Sequence, residues 1–435
     1  MLPTTAATPG AGPAGDPRHD QPEDRGFRGR RGHCGPGGRT VSGWLGVSQD
    51  DPFGLTHLPY GSDGRRVLVC VGDAVLDLTA ASADGEHGAL FASGSLDAFL
   101  AAGRPAWTAV RAQLVQWLSD RRYQARIEPL LFPVGDVTLR LPFAVADYVD
   151  FYASEHHAAN VGRILRPDGE PLTPNWKHLP IGYHGRAGTI VVSGTDVRRP
   201  RGQYRRPDGS VGFGPSTRLD IEAEVAFVVG TPSPLGRPVP VGCFRDHVFG
   251  LCLLNDWSAR DIQSWEYVPL GPFLGKSFAT SVAGWITPLD ALDRAWCAPP
   301  ARDFPLEPYL DDSAAPAGLD LALEVRLNDT VISRPPLSAM YWTPAQMLAH
   351  MTVNGASLRT GDLFASGTVS GPLPDQYGSL LELTRNGAAP VVLNDGSTRG
   401  FLADGDEVVI TATAPGPRGP IGLGEVRGRV VDGAV

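Results

Sequence analysis

The segment Asp220–Val229, DIEAEVAFVV, carries two carboxylates two residues apart inside an apolar run. On a strand, alternate residues share a face, so Glu222 and Glu224 are expected to emerge side by side. Two carboxylates held ~4 Å apart repel by ~4 kcal/mol at an effective dielectric of 20, so burying the pair requires a cation or a shared proton. Such a pair taken alone more often lies on a solvated face. Its apolar flanks and its companions along the chain argue for burial here.

The first companion is Asn255–Tyr267, NDWSARDIQSWEY. Helical spacing would place Asp256, Arg260, Gln263 and Tyr267 on one stripe, offering a carboxylate, a guanidinium, an amide and a phenol. Next comes VPLGPFLGKSFAT, where Lys276 sits in an apolar, glycine-bearing loop. A buried ammonium needs an anion, so Lys276 either counters the carboxylates or donates to an oxyanion.

A third segment, DYVDFYASEHHAANVGRILR, reads as helical from Ala146 to Ile164, placing Asp150 and His157 on one face. Tyr152 and Arg166 are nearby. A histidine beside carboxylates is a natural general base, though periodicity does not separate His156 from His157. Toward the C-terminus, LFASGTVSGPLPDQYGSLLEL offers glycine-rich turns for close approach to a ligand, with Thr368 placed to bind a carboxylate. Glu382 interrupts what reads as an apolar strand, and a buried glutamate there needs a partner such as a histidine.

The positioning elements follow from the pattern. Short β-type runs (GTIVVSG, RLDIEAEVAFVVG, HVFGLCLLND, LALEVRLND, SLLELTRNG, DEVVITAT) alternate with turns and few long helices. They predict a mainly β fold with some α, built as a large mixed β-sandwich roll over residues 142–435. Residues 41–141 read as a small β-barrel-like domain of SH3 type, with a hairpin around a Gly-Asp turn in Arg66–Leu76 and helical spacing over Leu96–Leu118. Residues 1–40 read as a disordered extension with no assigned function, its Arg-Gly run included.

A net charge of −9 argues against general nucleic-acid or anionic-membrane binding, and no apolar window approaches a bilayer span. The five cysteines are widely spaced with no C-x-x-C pair, which suits a reducing cytoplasm rather than a disulfide or zinc framework. No apolar signal segment follows the first Met.

From about Trp44 onward the chain resembles the fumarylacetoacetase family. The likeness is densest in DFYASEHHAANVG, PNWKHLPIGYHGRA, NDWSARDIQSWEYVPLGPFLGKSF and ASGTVSG. By position it implies a metal held by Asp150, Glu222, Glu224 and Asp256, with Lys276 and Thr280 close by. It selects His157 as the catalytic histidine and Glu382 as the carboxylate that orients it. Arg260, Gln263 and Lys276 match oxyanion-stabilising groups, while Tyr152, Arg166, Tyr183, Gln263, Tyr267 and Thr368 match substrate-binding positions. All-oxygen ligation implies a hard cation, Ca²⁺ or Mg²⁺. The implied activity is hydrolysis of a carbon–carbon bond in a diketo acid, in tyrosine and phenylalanine breakdown, by a homodimer. Shorter acylpyruvate hydrolases and decarboxylases share the acidic ligands but lack the first domain and the Tyr/Arg/Gln set. A Ca²⁺-stabilised binding module would have no use for a His157–Glu382 pair.

Overall fold

The computed structural model describes residues 41–433 apart from Pro316, so the reading of residues 1–40 lies outside the described residues. The described residues form one compact unit.

Its centre is an eight-stranded mixed sheet. The strands run in the order Gly182–His184, Asp147–Phe151, Asp362–Ala365, Ala223–Val229, Val248–Asp256, Thr280–Val282 and Ile190–Val192, with Thr287–Pro288 also paired to Val248–Asp256. The two middle strands, Ala223–Val229 and Val248–Asp256, are buried at every residue. That is why they read as nearly unbroken apolar runs rather than alternating ones. A second sheet takes Val197–Arg198, Pro420–Val431, Glu407–Pro415, Ala322–Leu327 and Thr330–Ser333 in that order, and it packs against Val248–Asp256. The strand Glu407–Pro415 alternates between buried and partly exposed residues, as expected of a sheet with one wet face. The expected β-rich roll is therefore the observed architecture.

Toward the N-terminus, Tyr60–Ser62, Val67–Val71, Ala74–Asp77 and Leu131–Pro133 form a four-stranded antiparallel sheet. The predicted hairpin is present, turning at Gly72 with φ +61°. The helical run over Leu96–Leu118 is two helices, Asp97–Ala101 and Arg104–Ser119. Gly103, at φ +80°, separates them and Pro105 enters the first turn of the second. Tyr60 bridges to Ile286 and packs its ring tilted against Phe99 and edge-on to Phe249, tying this sheet to the larger one.

Three local expectations are corrected. Asp147–Phe151 is a strand paired to Asp362–Ala365, and the helix begins only at Glu155. Ser154 sets that start by accepting a hydrogen bond from the His157 N–H, so Asp150 and His157 meet across a strand-to-helix turn and not along a helix face. Asp256 likewise ends a strand, in register with Thr280, and the helix starts at Arg260. The hydrophobic ladder from Val248 carries the extended backbone through to Asp256, overriding the helical spacing. Finally, Leu380–Leu383 is a single helical turn capped by Ser379, not a strand.

Candidate active site

Three strands of the large sheet supply the acids, the first separated from the other two by Asp362–Ala365. Asp150 comes from Asp147–Phe151, Glu224 from Ala223–Val229 with Glu222 immediately before it, and Asp256 from the end of Val248–Asp256. One oxygen from each of Asp150, Glu222, Glu224 and Asp256 lies within 4.8 Å of the others, and all four residues are buried. The alternation of Glu222 and Glu224 thus brings both to one place.

The cations divide unevenly among these acids. Lys276 donates to both Glu222 and Asp256 and is itself buried. Arg260 donates from Nη1 to Glu222 at 2.7 Å and from Nε to Asp220 at 2.8 Å. Asp256 also accepts from Tyr183 Oη at 3.2 Å and from Thr280 Oγ1 at 3.1 Å. Both oxygens of Glu224 and Oδ1 of Asp150 are buried with no hydrogen-bond partner.

The electrostatic consequence is a split. Burial, and then the neighbouring carboxylates Asp256 for Asp150 and Asp150 for Glu224, push these two acids well above the usual carboxylate range. Burial opposes charge on Glu222 too, but Lys276, Arg260 and His157 outweigh it and hold that carboxyl below its usual range. Desolvation would lower the Lys276 and Arg260 pKa values, yet the surrounding carboxylates raise both, so these groups stay charged. Oxygen donors from four acids, those of Glu224 and Asp150 Oδ1 without a partner, grouped this closely and cut off from water, fit a divalent hard cation.

Beside the cluster stands His157, buried, with Nδ1 2.7 Å from Glu382 Oε2. A carboxylate only accepts, so Nδ1 carries a proton and Nε2 is the nitrogen turned toward the acids. Nε2 is 4.0 Å from Glu222 Oε1, beyond direct hydrogen bonding. Glu382 is fixed in turn by Ser370, Ser379 and Asn160 at 3.0, 2.8 and 3.0 Å. Burial works against its charge, but His157 and these donors hold its pKa down.

The remaining sequence-predicted positions are less uniform. Gln263 accepts from Arg260 Nη1 at 3.1 Å, and Nη2 of Arg260 is buried without a partner. The Tyr152 ring stands edge-on to His157, centroids 5.3 Å apart. Thr368 Oγ1 is buried and unpartnered. Gly367, at φ +72°, allows the approach beside it, since a Cβ there would lie 2.0 Å from the Phe151 carbonyl oxygen. Tyr267 is 42% exposed at the end of its helix. Arg166 is exposed and donates to the Pro171 carbonyl. The structure brings neither Tyr267 nor Arg166 into contact with the acids. Sequence reasoning passed over Asp220, which accepts from Arg260 and from the Leu380 and Leu381 N–H groups. The signal was present, because Asp220, Glu222 and Glu224 form one alternating series. It also passed over Asn160, Ser370 and Ser379, and no periodicity could have found the first two.

Comparison with known proteins follows the same lines. Residues 49–142 match the family model of the fumarylacetoacetase N-terminal region, and residues 147–431 match that of the fumarylacetoacetate (FAA) hydrolase C-terminal region. A fumarylacetoacetase of Arabidopsis thaliana is 45% identical over 416 residues, covering 90% of this chain and 98% of that protein. One of Rattus norvegicus is 43% identical over 413 residues, covering 89% and 98%. Among solved structures, the fumarylacetoacetate hydrolase of psychrophilic Exiguobacterium antarcticum shares the fold at a TM-score of 0.50 and 18% identity, over 86% of this chain and 99% of that one. Family models across both halves and full-length relatives at this identity place the chain: it belongs to the fumarylacetoacetate hydrolase family.

Proposed function

We propose that this chain hydrolyses the carbon–carbon bond of 4-fumarylacetoacetate, releasing fumarate and acetoacetate, the last step of tyrosine and phenylalanine degradation. The observation that carries this reading is the buried His157–Glu382 pair facing the four-acid cluster. A base held by a carboxylate beside a cation site is what water attack on a carbonyl needs. Full-length relatives named fumarylacetoacetase select the substrate.

Asp150, Glu222, Glu224 and Asp256 would hold Ca²⁺ or Mg²⁺, with Lys276 and Thr280 completing the surroundings of Asp256. When bound, such an ion supplies Lewis-acid polarisation of the diketone oxygens and of the enolate that leaves. Glu382 keeps His157 in the tautomer whose Nε2 takes a proton from water. The water oxygen bonds to the carbonyl carbon beside the fumaryl group. The carbon–carbon bond then breaks, its electron pair goes to the acetoacetate carbon, and the proton held on His157 neutralises that carbanion. Arg260 Nη2, the Gln263 amide N–H and the remaining Lys276 N–H are the donors for the tetrahedral oxyanion. Tyr152, Tyr183 and Thr368 line the substrate from within, while Tyr267 and Arg166 act from the rim.

A homodimer in the cytoplasm is the proposed form. Val268, Leu270 and Phe273, in the loop leading to Lys276, are 67%, 96% and 64% exposed, an apolar surface suited to a second copy. The test of function is loss of the ultraviolet band of the 1,3-diketone in fumarylacetoacetate. Loss that stops with chelator and returns with Mg²⁺ or Ca²⁺ is expected; no loss under any cation would overturn the reading.

A further inference from the structure

Asp220 is fully buried on the strand Leu219–Asp220, which pairs antiparallel with Ser258–Ala259 and so sets Asp220 beside the start of the Arg260 helix. The Ala223 N–H donates to the Gly378 carbonyl, which brings the capped turn Leu380–Leu383 to the same place. One carboxylate thus stands between two elements that are far apart in the chain. It is not among the four acids that gather within 4.8 Å.

Its hydrogen bonds show how both elements are held. Oδ1 accepts from the Ile221 and Leu380 N–H groups, each at 2.7 Å. Oδ2 accepts from Arg260 Nε at 2.8 Å and from the Leu381 N–H at 3.0 Å. These four bonds fill an ionised carboxylate, and only a carboxylate offers that many acceptor sites with no donor. A helical turn leaves its first N–H groups without partners inside the turn. Asp220 takes those of Leu380 and Leu381, and Ser379 takes that of Glu382 at 3.3 Å. Ser370, Ser379 and Asn160 hold the Glu382 carboxylate, whereas Asp220 holds the backbone that carries it. Arg260 is pinned at two points, Nε on Asp220 and Nη1 on Glu222. Because a guanidinium is planar, two pins also fix the direction of its unpartnered Nη2.

We propose that Asp220 is a positioning residue: its carboxylate braces the turn of Glu382, and through it His157, against Arg260, and so sets the base and the oxyanion donor at a fixed separation. It touches neither substrate nor cation. This rests on the reading of His157 as the base and of Arg260 as an oxyanion donor.

Asp220→Asn keeps the size of the side chain but turns an amide NH₂ toward groups that themselves donate, so one side of the brace must open. Turnover of 4-fumarylacetoacetate is measured per folded chain in Mg²⁺. Expected are a kcat lower by about a hundredfold, the cost of a misplacement near 1 Å, and a KM within about threefold of wild type. A second readout needs no substrate. In the metal-free chain labelled with ¹⁵N-histidine, the Nδ1 proton that His157 donates to Glu382, identified by its loss in His157→Ala, should shift or exchange with water. Asp312→Asn is the control, since it alters another buried carboxylate, which accepts from Arg302, Thr343 and Gln346 away from the site. It should lower the melting temperature yet leave kcat and the His157 proton as in wild type. In Asp220→Asn, a kcat within about threefold of wild type or an unmoved His157 proton would each overturn the proposal. Equal kcat losses in the two variants would overturn it as well, because the effect would then be general destabilisation. Should Asp220→Asn not fold, Asp220→Ser, which leaves room for a water to meet the freed donors, carries the same readouts; if neither folds, the role is structural and the proposal falls. A wild type without turnover would remove the proposed reaction, while the His157 proton would still decide the brace.

Discussion

Replacing Glu224 with glutamine changes one oxygen to a nitrogen, leaves the side-chain volume in place and removes one charge. The two signs it should produce are opposite. In the metal-free protein Glu224 is buried without a partner and pushed toward the protonated form, so the neutral amide should cost nothing or add stability. In the cation-bound protein it removes a ligand charge. One carboxylate against a dication at ~4 Å and an effective dielectric of 20 is worth ~8 kcal/mol. Lys276 and Arg260 compensate Glu222 and Asp256, so the main opposing repulsion is Asp150, at up to 4.8 Å and therefore ~3.5 kcal/mol. Expelling the Glu224 proton brings the loss below the ~4.5 kcal/mol these two interactions leave, and a dissociation constant weaker by on the order of a hundredfold is expected. With cation at 100 times the wild-type constant, the stabilisation of ~2.7 kcal/mol would shrink to ~0.4 kcal/mol for a hundredfold weaker variant. Titration calorimetry and scanning calorimetry with and without cation measure both effects. Unchanged affinity would remove Glu224 from the ligand set. A fall in the metal-free melting temperature as large as that in the bound form would show that the residue acts through packing, and the electrostatic argument would fail.

His157→Ala should leave cation affinity within a few-fold of wild type while turnover falls by ~10²–10⁴; unchanged turnover would move the base elsewhere, with His156 the next candidate. Glu382→Gln should lower kcat more than it raises KM, because it disturbs the His157 tautomer and not the acids. Because Asp150 and Glu224 have raised pKa values in the folded, metal-free protein, cation binding should expel protons and weaken as pH falls. Titrations in buffers of different ionisation heat count those protons, and a buffer-independent enthalpy would contradict the assignment. The same raised pKa means Glu224 contributes stability to the metal-free fold at low pH that is lost as pH rises through its folded-state value. The stability of Glu224→Gln relative to wild type should therefore grow with pH.

Much of this protein was legible in one dimension. Runs such as AEVAFVV and VFGLCLLN mark buried strands because both faces of a central strand meet apolar neighbours. The alternation of Glu222 and Glu224 fixes their common direction once the strand is recognised. Lys276 announced its burial by its apolar setting. Where spacing misled, capping and sheet pairing had won: Ser154 and Ser379 begin helical turns, while ladders hold Asp150 and Asp256 extended. The residue types and their local periods were set by the sequence itself, since a side chain's chemistry and its strand face depend only on near neighbours. Which acid received a counter-charge was a matter for the tertiary structure. Asp150 and Glu224 are left uncompensated because Lys276 and Arg260, distant in the chain, reach Glu222, Asp256 and Asp220 instead. Coulomb energy depends on distance through space, and no local pattern carries that distance.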